Sequence, residues 1–439
     1  MAELQKGSKK LLDAWAFYDW ANSVYTLTIA SAVFPIFYEA LFSDRDHYID
    51  VFGLHLKNSA LISFITAFAF LLVAFISPLL SGIADYVGNK KSFMKFFCYL
   101  GVLSCMGLYW FNLENVYIGL VFYFLGLIGY WGSLVFYNSY LPDIAFVEQQ
   151  DKISAKGYAM GYIGSVILLI INLAMIMKPE WFNISGPEPA MKAMRYSFIM
   201  VGVWWILFSQ YTYYFLPKGN KNANRKVSHH VVFNGFKELK KVWILLKENT
   251  VLKRYLGSFF VSSMAVQTVM LVATYFGAQE IAWPSKAEST TGLIICILLI
   301  QLVAVVGAVL TSRASEKFGN IATLIVINCF WVLLCAGAFF ITAPIQFYVM
   351  ASLVGLVMGG IQALSRSTYS KLLPETEDTA SFFSFYDVAE KIGIVIGMLV
   401  YGIIDQITGS PRLAIVFLGV FFVMAVFLLN RVPKKSVLN

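Results

Sequence analysis

Twelve long stretches of mostly apolar residues run along the chain, and short polar segments separate them. An α-helix needs about 20 apolar residues to cross a bilayer, and each stretch reaches that length. The pattern predicts an all-α polytopic membrane protein with 12 transmembrane helices. The stretches lie at residues 15–42, 59–83, 93–112, 115–140, 156–178, 194–216, 253–279, 288–312, 321–342, 345–370, 381–405 and 411–430.

A repeated loop signature divides these spans into two halves. Residues 81–89 read S-G-I-A-D-Y-V-G-N and residues 312–320 read S-R-A-S-E-K-F-G-N, an offset of about 231 residues. L-P-D at 141–143 and L-P-E at 373–375 keep nearly the same offset. Such repeats are typical of alternating-access transporters, whose site lies between the halves. We therefore predict two pseudo-symmetric six-helix bundles, at residues 1–216 and 253–439, joined by a linker at 217–252.

The placement of charge predicts the orientation of the chain. The net charge is +8, but with both termini cytoplasmic most of the basic residues fall on the inner side, as the positive-inside rule requires. The excess charge therefore reflects topology, and we expect no nucleic-acid partner. This bias fits a bacterial inner membrane as well as a vacuole, and the bacterial inner membrane is the favoured location. The basic residues left on the outer side are Arg45, Lys57, Lys178, Lys192, Arg195, Lys286 and Arg412.

The linker contains a second helical pattern. At 231–247, V-V-F-N-G-F-K-E-L-K-K-V-W-I-L-L-K places apolar residues at helical spacing with lysines between them. This predicts an amphipathic helix suited to an anionic membrane interface. A tether between the halves is the favoured interpretation, with a regulatory role as the alternative. His229 and His230 form too small a cluster for a metal site.

Several chemistries have no support in the sequence. The chain lacks a G-x-x-x-x-G-K-[ST] phosphate loop, an H-E-x-x-H motif and a G-x-S-x-G motif. The five cysteines fall within spans without a C-x-x-C pair, which indicates packing rather than ligation. We therefore expect no enzyme activity, no cofactor and no metal, with an ion or solute gradient as the energy source.

A short signature follows the second span, where residues 82–91 read G-I-A-D-Y-V-G-N-K-K. Gly82 allows close helix packing, Gly88 a tight turn, and Asp85 is placed to meet the positive end of a helix. With Lys90, the segment resembles the loop 2–3 signature of the major facilitator superfamily. The resemblance implies that Asp85 contacts the start of helix eleven, near residues 381–384, when the inner side is closed.

Three further segments narrow this resemblance. They read F-Y-D-W-A-N-S-V-Y at 17–25, I-S-A-K-G-Y-A-M-G-Y-I-G at 153–164 and G-G-I-Q-A-L-S-R-S at 359–367. Together they resemble the superfamily branch of the autophagy-linked vacuolar amino-acid effluxers of fungi and their bacterial relatives. The resemblance implies amino acids as cargo by kinship alone, because these motifs do not specify a substrate.

Polar residues within spans are costly and need a partner, a cavity or a role. Asp19, Asn22 and Ser23 lie together in span one, with Asp19 about one turn inside the cytoplasmic edge. Asp19 either binds a proton or a substrate amine, or pairs with a basic residue. In span ten, Gln362 shares a stripe with Arg366, which could bind a carboxylate bidentately or pair with Asp19.

Span eleven adds three charged residues. Asp387 and Lys391 are spaced i, i+4 and can satisfy each other, which leaves Glu390 as a spare carboxylate for proton coupling. The alternative is that all three face the headgroup zone. In the superfamily, spans one, four, seven and ten line the cavity, which adds Tyr137, Asn138 and Gln267 as candidates for a small polar solute. The gating candidates are Asp85, Gly82, Gly88, Lys90, Asp387 and Lys391.

The sequence thus indicates a monomeric carrier in a lipid bilayer, moving a small polar solute by alternating access. Amino acids or short peptides are the first candidates, and proton coupling through Asp19 and Glu390 is a hypothesis. Sugars, cell-wall fragments or drug-like solutes are alternative cargoes. A non-transporting sensor or scaffold on a carrier fold is the alternative from a different class.

Overall fold

A computed structural model of the chain describes residues 4–42, 48–51, 53–218 and 231–433. Eight α-helices precede the linker in this part of the chain. They are α1 (Lys9–Val24), α2 (Val33–Leu41), α3 (Asn58–Val87), α4 (Lys90–Gly107), α5 (Val116–Ser139), α6 (Leu141–Ile144), α7 (Val147–Met177) and α8 (Pro189–Phe215).

Seven further α-helices complete the described structure. The linker provides α9 (Val231–Glu248), the helix that the lysine pattern predicted, while residues 219–230, including His229 and His230, lie outside the described residues. The others are α10 (Thr250–Glu280), α11 (Lys286–Phe318), α12 (Asn320–Gly337), α13 (Pro344–Leu372), α14 (Thr379–Thr408) and α15 (Pro411–Asn430).

Eleven helical segments among the described residues are long and apolar enough to cross a membrane. The helix α14 is not one of these eleven, yet it has 30 residues and occupies the place of the predicted eleventh span. Its charged residues Asp387, Glu390 and Lys391 lie within the helix and not beyond its end. The twelve predicted spans therefore all correspond to helices.

The first span differs from its prediction in two ways. The helix begins at Lys9, six residues before the predicted start of the span, so Asp19 lies almost three turns into α1. A π-helical segment, Tyr25–Ala32, then separates α1 from α2. Its residues are as apolar as those of an α-helical span, so hydrophobic periodicity gave no sign of it. Such segments are rare and occur frequently at functional sites.

A small β-hairpin between the first two spans was not predicted. Strand β1 (Tyr48–Val51) pairs antiparallel with β2 (Leu54–Lys57), and Val51 lies opposite Leu54. Gly53 has a φ of 80°, which suits the two-residue turn between the strands.

The interior consists of two main hydrophobic clusters. One is built almost entirely from α1–α8, and the other mostly from α9–α15. Within the second, α11 and α13 approach closely because glycines line the contact. A Cβ atom on Gly359 would lie 2.1 Å from the carbonyl oxygen of Ala304, so no larger residue fits without moving a helix.

We predict that Gly359→Ala destabilises the protein by about 1–3 kcal/mol, because the added methyl overpacks the α11–α13 contact. Thermal unfolding of purified protein in detergent measures the effect. Gly402→Ala is the matched control, since a Cβ there meets nothing within 4 Å. Equal melting temperatures for the two variants would show that the helices do not approach this closely.

Candidate functional site

Several loops and chain ends meet at one end of the helical bundle. The ammonium group of Lys91, at the start of α4, donates to the carbonyl of Leu216 at 2.7 Å, just beyond α8. Arg254, near the start of α10, donates to the carbonyl of Arg431 at 2.8 Å. We call this end, which carries the linker helix α9, the linker side.

The guanidinium of Arg366 reaches from α13 into the N-terminal half, and its side chain is 2% exposed. It donates to Asp19 Oδ2 at 3.2 and 3.3 Å, to Asn138 Oδ1 at 3.2 Å, and to the hydroxyl and carbonyl of Ser154 at 3.0 Å each. The Tyr137 hydroxyl donates to the same Asp19 oxygen at 2.8 Å. All five guanidinium N–H groups are therefore engaged by the opposite half.

Aromatic rings and a glycine enclose this ion pair. The guanidinium carbon lies 4.2 Å from the ring centre of Tyr158 and 4.8 Å from that of Trp15. A Cβ atom on Gly157 would lie 2.4 Å from Asp19 Oδ2, so glycine makes room for the carboxylate. Asp19 and Arg366 were expected either to bind a solute or to pair with each other. In the structure they are paired, and no N–H group of the guanidinium is left to bind a solute.

Asp85 joins the halves closer to the linker side. Its carboxylate accepts from the backbone N–H of Ala380 at 3.3 Å and of Ser381 at 2.7 Å, and from the Ser381 hydroxyl at 2.7 Å. These donors belong to the first turn of α14, where free N–H groups and the helix dipole favour a negative charge. Gly88 ends α3 with a φ of 67°, and Gly82 is buried within α3.

Lys90 adds a second contact at the same place. Its ammonium group forms an ion pair with Asp143 and donates to the carbonyl of Ser139 at 3.1 Å. It also donates to the hydroxyl of Thr379, at the start of α14, at 2.8 Å. Asp85 and Lys90 thus both hold the first turn of α14 against the N-terminal half.

We predict that Asp85→Asn weakens this closure by about 1–2 kcal/mol, because the charge facing the helix terminus is lost. The measurement is alkylation of Ala363→Cys, a buried α13 position, in a Cys329→Ser background. The rate should rise roughly 5- to 30-fold. Glu316→Gln, the exposed counterpart of Asp85 in the repeat, is the control and should leave the rate unchanged. An unchanged rate in both variants would contradict the prediction.

A buried polar cluster on the linker side was missed from the sequence. Asp151 of α7 accepts from Lys371 at 2.6 Å, from Asn320 at 2.9 Å and from Ser315 at 3.0 Å. The predicted fifth span began at residue 156, so Asp151 was assigned to a loop, whereas α7 begins at Val147. Asn320, the repeat counterpart of Asn89, was the signal that could have indicated this cluster.

The remaining candidates of spans one and ten lie deeper in the bundle. The Tyr162 hydroxyl of α7 donates to Gln362 Oε1 of α13 at 2.6 Å, which adds another contact between the halves. Ser23 lies against Gly161 and donates weakly to Asn22 Oδ1 at 3.4 Å. The Nδ2 atom of Asn22 is buried without a partner among the described residues.

The charged residues of α14 form a separate cluster. The ammonium of Lys391 lies 2.9 Å from Asp387 and 2.7 Å from Glu390, and is 3.6 Å from the ring centre of Trp131. Gln267 of α10 donates to Glu390 at 2.9 Å. The expectation that Glu390 is spare is therefore wrong, because it shares the ammonium group of Lys391 with Asp387. The Lys391 side chain is fully buried within the protein. Two carboxylates share one ammonium, which leaves one formal negative charge.

The structure thus divides the predicted site residues among three places. Asp85 and Lys90 lie at the mouth of the linker side, with Gly82 and Gly88 in and after the adjoining helix. Glu390, Gln267, Asp387 and Lys391 form the α14 cluster. Asp19, Tyr137, Asn138 and Arg366 form the buried ion-pair network, with Gln362, Asn22 and Ser23 beside it.

Similarity to solved structures agrees with this architecture. The E. coli fucose:proton symporter FucP superposes with a TM-score of 0.68 at 14% identity, covering 97% of this chain and 98% of that chain. The proton:xylose symporter XylE gives 0.70 at 15% identity, covering 97% and 95%. At such low identity these matches show the fold alone. They confirm the predicted 12-helix major facilitator fold.

Similarity in sequence identifies the family. An uncharacterized MFS-type transporter of Bacillus subtilis, YxiO, is 30% identical over 434 residues, which is 99% of this chain and 97% of that protein. Autophagy-related protein 22-2 of Aspergillus oryzae is 22% identical over 480 residues, covering 89% and 76%. The family model described as "Vacuole effluxer Atg22 like" matches residues 7–437. The chain therefore belongs to the Atg22-like family of major facilitator transporters, and its family and fold are those of transporters rather than enzymes.

Proposed function

We propose that this protein moves a small polar organic solute by alternating access, with amino acids or short peptides as the first candidates. The observation that carries the proposal is the buried Arg366–Asp19 pair between the two halves. A buried ion pair is costly to separate, so it favours one of two discrete arrangements. Here it holds the linker side closed, and opening that side requires another partner for each charge.

An amino acid could supply those partners. Once Asp19 and Ser154 withdraw with their half, the Arg366 guanidinium matches a carboxylate bidentately. The unbalanced negative charge of the α14 cluster suits an ammonium group. Trp131, which contacts Lys391, and Asn138, which contacts Arg366, lie about two turns apart on α5, so the two sites are neighbours. A neutral sugar or cell-wall fragment, the alternative cargo, would leave both charges without a match.

Proton coupling is the second part of the proposal. A lone buried charge is unfavourable in a protein within the bilayer, so the extra carboxylate of the α14 cluster calls for a proton or a cation. Glu390 is the carboxylate that Gln267 of α10 also contacts, at 2.9 Å. At Asp19, a proton would remove the charge that holds Arg366 and so favour opening.

The positive-inside bias supports an orientation with the linker side, and both termini, in the cytoplasm. That bias and the similarity to the Bacillus subtilis protein support a bacterial inner membrane as the proposed location. The matching family model is described as that of a vacuole effluxer, and the direction of transport in this protein is a separate question for the uptake assay. We take the transporting unit to be the monomer, in which both halves are present.

Solute uptake into proteoliposomes tests this function. Purified protein is offered a pool of labelled amino acids and dipeptides, with and without an inward proton gradient. We expect uptake of one solute class, its loss in Arg366→Ala, and its retention in Arg412→Ala, which disrupts an ion pair with Glu280 at the opposite end of the bundle. If folded wild-type protein takes up no amino acid or dipeptide from the pool but transports sugars, the amino-acid proposal is wrong and sugars are the cargo.

We predict that Glu390→Gln abolishes proton-driven accumulation while solute exchange between equal concentrations persists. The substitution leaves Lys391 and Asp387 as a neutral pair, so the fold should be retained. Accumulation under a pH gradient and counterflow without one separate the two effects. Gradient-driven accumulation equal to that of the wild type would exclude Glu390 as the coupling carboxylate.

A further inference from the structure

The linker helix α9 packs against the linker side of the bundle, the end that the ion pairs between the halves close. Its side chains Val242 and Leu246 are buried against the C-terminal half, and the helix also packs along α3 of the N-terminal half. Lys241 donates to Asp378, which directly precedes α14, at 2.7 Å, and this hydrogen bond raises the pKa of Lys241. The Trp243 ring lies 5.5 Å from that of Phe385 in α14. The inner face and one edge of α9 are therefore occupied by the protein.

The opposite face of α9 carries a different set of residues. Lys237, Lys240, Ile244 and Lys247 are spaced i, i+3, i+7 and i+10, so they form one stripe along the helix. All four are exposed, Ile244 by 46%, and the neighbouring Trp243 by 51%. Among the described residues, no carboxylate forms an ion pair with these three lysines. We call these four residues and Trp243 the basic stripe.

The depth of the basic stripe follows from the chain itself. The helix α9 ends at Glu248 and the membrane-spanning helix α10 begins at Thr250, so Asn249 alone separates them. The last turn of α9, with Lys247, therefore lies next to the start of a candidate membrane span. Exposed tryptophan and isoleucine between lysines are typical of helices that lie in the membrane interface, with apolar groups toward the acyl chains and ammonium groups among the headgroups.

We propose that the basic stripe of α9 is a docking surface for anionic phospholipid headgroups. The three lysines supply the positive charge, and Trp243 and Ile244 supply the apolar contact that an acidic soluble protein would not need. Because Lys241 and Trp243 also contact the start of α14, lipid bound to the stripe holds α9 in place beside the closed linker side. The proposal concerns a surface that is separate from the solute site.

Lipid-specific fluorescence quenching tests the docking. Full-length protein is reconstituted in phosphatidylcholine containing brominated phosphatidylglycerol, or brominated phosphatidylcholine, and the contribution of Trp243 is obtained by subtracting the Trp243→Phe signal. We expect stronger quenching by brominated phosphatidylglycerol. Each lysine near an anionic surface contributes about a fivefold preference, so a Lys237→Gln, Lys240→Gln, Lys247→Gln variant should lose roughly a hundredfold in selectivity.

The matched control replaces Lys57, Lys178 and Lys192 by glutamine, three basic residues that precede or follow spans at the opposite end. This control should keep the wild-type selectivity. Equal quenching by the two brominated lipids, or an equal loss in both triple variants, would overturn the proposal. A Trp243 signal that neither lipid quenches would also overturn it and would leave a soluble partner as the occupant. The measurement requires no transport, so its failure is distinct from failure of the proposed function.

Discussion

Replacing Arg366 by alanine is expected to destabilise the form with a closed linker side by roughly 3–5 kcal/mol. The substitution leaves Asp19 buried with the Tyr137 hydroxyl as its remaining hydrogen-bond donor, and it removes the cation from among the rings of Trp15 and Tyr158. The protein should respond by opening the linker side or by melting at a lower temperature. Alkylation of the Ala363→Cys reporter and thermal unfolding measure the two responses.

Neutralising both partners separates two free energies: the destabilisation caused by one unpaired buried charge, and the net stabilisation that the intact ion pair provides. The Asp19→Asn, Arg366→Gln double variant carries no unpaired buried charge, so it should recover a large part of the lost stability. It should not recover transport, because the guanidinium is absent. If Arg366→Ala alone melts like the wild type and leaves the reporter unreactive, the pair does not hold the halves together.

The second large effect is expected for Lys391→Met. The ammonium group balances Asp387 and Glu390 within the membrane region, so its removal leaves two adjacent carboxylates without a cation. We expect a loss of about 3–5 kcal/mol, comparable to breaking a buried ion pair. Unfolding of the purified protein in detergent reports this loss directly.

The matched variant adds Asp387→Asn and Glu390→Gln to Lys391→Met, which removes every formal charge of the cluster. Its stability should return most of the way toward that of the wild type, while proton-driven accumulation stays absent. A triple variant as unstable as Lys391→Met would mean that the ammonium acts through its contact with the Trp131 ring and not through charge balance.

The fold could be predicted because a bilayer imposes simple rules on sequence. The length of the apolar stretches predicted the twelve spans, and the repeated loop signature predicted their division into two halves. The π-helical segment Tyr25–Ala32 and the hairpin at 48–57 could not be predicted. The first has the composition of an α-helix, and the second is held by backbone pairing in a loop without a clear strand pattern.

The site was predictable only where one residue was conspicuous by itself. Arg366 is a charged residue inside a predicted span, so its importance was visible, and Asp19 was named as a possible partner. The sequence left open whether Arg366 pairs with Asp19 or binds a solute carboxylate, and the structure has the pair. Glu390 was misjudged because helical spacing favours the i, i+4 pair, whereas the long Lys391 side chain also reaches its neighbour. Asp151 was missed because a helix boundary was placed nine residues too late.

The alternating movement of the two halves can be tested by distances between nitroxide labels in a Cys329→Ser background. One pair, at Lys152 and Lys317, spans the halves on the linker side, and a second pair, at Glu114 and Thr342, spans them at the opposite end. On adding a transported solute or introducing Arg366→Ala, the first distance should lengthen while the second shortens. Two distances that stay unchanged, or that change in the same direction while solute is transported, would contradict alternating access across this site.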